Sequence, residues 1–239
     1  MRKKGFTIAE TLVVLAIVGA ISLVTMPTFI SNQNKQVYTK TLQVAISNFN
    51  TAMTNMMIQD GVDSLLETNA WKGFTSTKRL NNTSSTKDED LNNFNYELGK
   101  VLSIYGYSRE VRTYSNLAQN GEVDLYYPVR FVAKNGVEYF LESLLRNNGF
   151  SDEEALEKNI TLTDVVARVY IDVNGQSAPN ILGRDLFLYV LGTNGILYPC
   201  GGEDYNVRIG PVSLSDCPSK VDGSVCSGYL NSNGYKMDY

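Results

Sequence analysis

The chain contains no histidine, and that absence removes much of the hydrolytic chemistry a sequence can carry. Ser-His-Asp and Cys-His systems need an imidazole base, and HExxH zinc sites need imidazole ligands. A glycine-rich phosphate loop is missing too; the nearest stretch, GKVLSIYG, has the wrong residues for one. Nothing points to paired-carboxylate catalysis. Clustered positive charge is confined to Arg2, Lys3 and Lys4. Without those three the net charge moves from −4 to −7, a poor match to nucleic acid. Cysteine is scarce, with three residues in 239, and no pair has the CxxC spacing of a zinc site. The expectation is therefore a protein that is not an enzyme.

What is present begins at the N-terminus, with MRKKGFTIAETLVVLAIVGAISLVTMPTFI. A short basic flank and Gly5 precede an apolar run that carries one acid, Glu10, and no charge from Thr11 to Ile30. As a helix, Phe6 to Ile30 measures about 37 Å, enough to cross a hydrocarbon core of about 30 Å. The basic flank predicts a cytoplasmic N-terminus and an exported remainder. A secretory signal peptide would have a shorter apolar core and a small-x-small cleavage site, and neither is found. A plain single-pass anchor leaves Glu10 unexplained, because an acid in a membrane segment is costly and calls for a partner.

The stretch KKGFTIAETLVVLAIVGAI resembles the N-terminus of type IV pilins and of type II secretion pseudopilins. The resemblance covers about the first thirty residues. It rests on the basic leader, Gly-Phe-Thr, the acid at Glu10 and the long apolar helix. It implies cleavage between Gly5 and Phe6 by a prepilin peptidase, methylation of the new amine at Phe6, and polymerisation with other pilin or pseudopilin subunits. It also implies an inner-membrane assembly platform as partner. After export the filament would stand in the periplasm or at the cell surface. Glu10 of one subunit would then meet the Phe6 amine of the next and set the axial register, because a buried carboxylate needs a cation. Alternatively, Glu10 only snorkels to the headgroups from the first helical turn. Gly19 and Pro27 are helix-softening positions, since glycine propagates a helix poorly and proline removes a hydrogen bond. The resemblance implies an extended segment there, and an ordinary kink is the other reading.

Further along, Tyr38, Leu42, Ala45, Phe49, Ala52, Met53, Met56 and Met57 recur at threes and fours, continuing the helix over 31–60 with Asp60-Gly61 as its stop. Unbroken, it would measure about 80 Å. The polar run over 75–95 reads as a surface loop, followed by a helical piece from Leu91 to Tyr105. Strands are predicted over 125–133 and 137–142 around Lys134-Asn135-Gly136, over 164–173, and over 185–192 and 196–199 around Thr193-Asn194-Gly195. Ser151 and Glu154 form a capping-box pattern ahead of a short acidic helix.

Between the last strand regions, Asp172, Asn174, Gln176, Asn180 and Asp185 place side-chain oxygens around glycine turns. Such a set suits a hard cation such as Ca²⁺, and some pseudopilins carry a calcium-stabilised loop. The bidentate acid of an EF-hand is missing, so the preferred reading is a turn-rich loop whose Asp and Asn cap their own backbone. The three cysteines lie near the C-terminus. In an oxidising compartment Cys217 pairs with Cys226, closing the shorter loop, or Cys200 pairs with either of them.

The expected fold is α+β, a long N-terminal helix packed on an antiparallel sheet. The expected organisation is a leader at 1–5, a transmembrane assembly helix at 6–30, its amphipathic continuation at 31–60 and an exported domain at 61–239. The expected function is a structural filament subunit; the alternative is an anchored surface-binding module that never polymerises. Membrane lipid and neighbouring subunits are the expected partners, and no cofactor is expected unless Ca²⁺ occupies the 172–185 loop.

Overall fold

A computed structural model describes residues 7–71, 96–100, 102, 104–108, 112–118, 120–125, 129–143, 165–200, 217, 223 and 225–239. The chain divides into two compact units, Met1–Val37 and Tyr38–Tyr239. Helix α1 (Ile8–Asp60) begins in the first and ends in the second, and it runs on through Gly19 and Pro27. Its last turn closes where the sequence predicts. The amide of Gly61 donates to Ile58 O at 3.2 Å and that of Val62 to Met57 O at 3.1 Å, a double-bonded C-terminal cap. Asp60 then takes the Asn69 backbone amide at 2.7 Å.

In the second unit the central layer is a six-stranded antiparallel sheet. Its strands are β1 (Ile104–Ser108), β4 (Val129–Ala133), β5 (Glu138–Ser143), β6 (Val165–Asp172), β7 (Leu186–Gly192) and β8 (Leu197–Pro199), in spatial order β1-β4-β5-β6-β7-β8. Strands β2 (Arg112–Ser115) and β3 (Glu122–Leu125) form a separate hairpin, and α2 (Cys226–Ser232) lies near the C-terminus. The α+β reading is correct at this level.

Both predicted Asn-Gly hairpins form, each with a three-residue loop. In the β4–β5 turn Ala133 N donates to Val137 O, with Gly136 at φ +84°; in the β7–β8 turn Gly192 N donates to Ile196 O, with Gly195 at φ +78°. A positive φ at the third loop position is what selects glycine there. The Asn before each glycine accepts the amide two residues on, Asn135 from Val137 and Asn194 from Ile196.

One face of the sheet carries Phe131, Tyr139, Leu141, Ala167, Val169, Ile171, Phe187, Tyr189 and Leu191, the alternate residues of β4 to β7. Against it packs the predicted stripe of α1, with Leu42, Ala45, Phe49 and Met53 wholly buried. Phe49 lies 5.4 Å from the Tyr139 ring and 6.4 Å from that of Phe131. The Tyr139 hydroxyl donates to Ala45 O at 3.2 Å, so the helix is fastened as well as packed. Strand β8 is fastened at its outer edge, where Leu197 N donates to Asn50 Oδ1 of α1 at 2.9 Å.

Four expectations need correction or fall elsewhere. The helical piece predicted from Leu91 to Tyr105 is helical at 96–100, and β1 already occupies Ile104 onward. The strand predicted over 125–133 is two strands, because β3 ends at Leu125 and β4 starts at Val129. The 75–95 loop and the Ser151–Glu154 capping box lie outside the described residues.

Candidate assembly segment and the 172–185 loop

In the first unit the apolar side chains of α1 stand exposed, with no described residue covering them. Ile8, Leu12, Val13, Val14, Leu15, Ile17, Val18, Ile21, Leu23, Val24, Met26, Phe29 and Ile30 each leave more than half of their surface exposed. The helix is long and apolar enough to cross a membrane. Gly19 has no atom within 4 Å of the place a Cβ would take, and Pro27 stands inside the helix. Near Pro27 the Thr25 hydroxyl donates to Ile21 O at 3.0 Å, a side-chain bond within the helix. Gly5 and Phe6 lie outside the described residues.

Glu10 has a partner within its own chain. Its Oε2 accepts both the Thr7 amide at 2.8 Å and the Thr7 hydroxyl at 2.9 Å, while Thr7 Oγ1 accepts the Glu10 amide at 3.2 Å. Thr7 O accepts the first helical bond, from Thr11 N at 3.1 Å, which makes Thr7 the N-cap. The pair is a reciprocal capping box, Thr-x-x-Glu, at the start of α1. Sequence reasoning missed Thr7, although the same spacing was the signal read at Ser151–Glu154.

The 172–185 loop is the meeting point of the second unit. Both oxygens of Asp185 accept backbone amides, Ile181 N at 2.6 Å and Asn180 N at 2.7 Å. Asp172, wholly buried, accepts the Tyr114 hydroxyl at 2.6 Å and the Asn174 amide at 3.1 Å. Asn174 Nδ2 bonds Ser177 O and Ala178 O at 2.8 and 3.1 Å, while the Oδ1 atoms of Asn174 and Asn180 are buried with no hydrogen bond. Asp172, Asn174, Asn180 and Asp185 are therefore brought into one loop, with Gln176 exposed on it. All four carboxylate oxygens of Asp172 and Asp185, however, already hold N–H or O–H donors, so the arrangement fits the backbone-capping reading better than a cation cage.

Burial pushes the Asp172 carboxyl up to about 7; the nearby negative charges of Asp185 and Glu138 add to this, and the Tyr114 hydrogen bond opposes it. Asp185 is raised by burial, against the pull of its two amides. Glu138 stands opposite Asp172 across the β5–β6 pair and forms a buried two-point ion pair with Arg130, at 2.9 and 2.8 Å. These charges sit on the face of the sheet away from α1, beside a second apolar cluster that includes Tyr114, Phe140, Tyr170, Leu188 and Cys200. Sequence reasoning missed both the pair and the cluster.

The loop also receives the β2–β3 hairpin and the C-terminal segment. Ser115 bonds Asn180 O and Leu182 N, each at 2.9 Å, and the Tyr239 hydroxyl donates to Gly183 O at 2.6 Å. Cys217 and Cys226 form a disulfide, and Cys200 stays outside it as a buried thiol whose backbone bonds Ser227 and Gly228. The disulfide loop lies so close that a Cβ on Gly223 would meet Leu182 O, and one on Gly183 would stand 3.0 Å from Cys226 Sγ.

No family model, curated protein or solved structure matches the chain.

Proposed function

We propose that the chain is a membrane-anchored filament subunit of the type IV pilin or pseudopilin kind, cut between Gly5 and Phe6 by a prepilin peptidase and polymerised through α1. One observation supports this above the others. A single helix carries an acid and an uncovered apolar run at one end and a fully packed stripe at the other. The apolar run suits lipid before assembly and identical helices after it. The remainder would be exported and carried on the shaft, through an inner-membrane assembly platform. The reading needs no catalytic group and no cation in the 172–185 loop.

Intact-mass analysis and N-terminal sequencing of the protein from its native membrane test the processing. A chain that starts at Phe6 and is heavier by one methyl group is the expected result. A chain that keeps Met1–Gly5 overturns it, and one cut after the apolar run makes the protein secreted and soluble.

The capping box favours a second reading, because it gives Glu10 work to do without any neighbour. The chain would then be an anchored surface-binding module. Glu10→Ala separates the two: a module keeps its membrane location and its function, whereas a filament subunit stays in the membrane and fails to assemble.

A further inference from the structure

We draw no further inference here: the strongest candidate, the buried carboxyl cluster of Asp172, Asp185 and Glu138 beside the β2–β3 hairpin, belongs to the site already described, where every carboxylate oxygen holds a donor from this chain.

Discussion

Leu15 and Phe49 lie on the same helix, yet Leu15 leaves 61% of its surface exposed and Phe49 leaves none. Around Leu15 the helix is apolar on every side. Around Phe49 the buried apolar residues form one stripe, and Asn, Gln, Ser and Thr, with the exposed Val44, take most of the rest. A helix apolar all round belongs inside a larger core or a membrane, whereas a striped one belongs on the surface of its own domain. One continuous element therefore has two characters: among the described residues the sheet covers its second part and nothing covers its first.

The sharpest way to break that contrast is to truncate one residue in each part. Phe49→Ala removes a buried ring that packs on both Phe131 and Tyr139 and should cost about 3–5 kcal/mol, seen as a large fall in Tm of the second unit. Leu15→Ala should move the same melt by under about 0.5 kcal/mol. Equal losses would mean that Leu15 is packed within its own chain.

A charge tests the opposite partner. Val18→Arg costs about 3 kcal/mol at the centre of a membrane span. It should shift the protein from the membrane to the soluble fraction, while the Tm of the second unit stays unchanged.

Smaller, and confined to the second unit, is the effect of Asp172. Its carboxyl titrates near 7 when folded, against an ordinary 3.8. The folded chain thus holds a proton that the unfolded chain releases. The stability that proton supplies is full below about pH 4 and is lost as the pH rises to about 7. Asp172→Asn keeps an oxygen for the Asn174 amide and an amide group for the Tyr114 oxygen, so it should stabilise the domain by about 1–3 kcal/mol at pH 8. It should also flatten the slope of Tm between pH 5 and 8, measured in chelator. An unchanged slope would show that Asp172 is already ionised when folded. The smallest effect expected is that of Thr51→Ala, which removes a hydroxyl bond to Ser47 O on the exposed face of α1 and should stay within about 0.5 kcal/mol.

How legible these regions were in the sequence differs for physical reasons. The stripe from Leu42 to Met57 and the two Asn-Gly turns are local signals, and a reader of neighbouring residues finds them. Tyr170 and Phe140 are not like that. They alternate with the α1-facing residues and look solvent-facing, yet they are covered by Tyr114 and Leu182, which lie far away in the chain. Arg130 and Glu138 belong to opposite strands of a hairpin, and only its register makes them a pair. The oxygens at 172–185 were visible, and spacing alone left open whether they hold a cation or the backbone. Thr7 was legible and went unread, because the apolar run around it suggested lipid rather than a cap.

Asn50 has a consequence of another kind. Sheets with an open edge zip together when copies are crowded, since the outermost strand offers unpaired amides to any extended segment. At β8 that offer is withdrawn: the strand is three residues long, its last residue, Pro199, has no amide hydrogen, and the Leu197 amide is spent on Asn50. A helix side chain thus acts as a guard against runaway strand addition on that flank. Many copies of this domain can be packed shoulder to shoulder there without becoming amyloid seeds for one another.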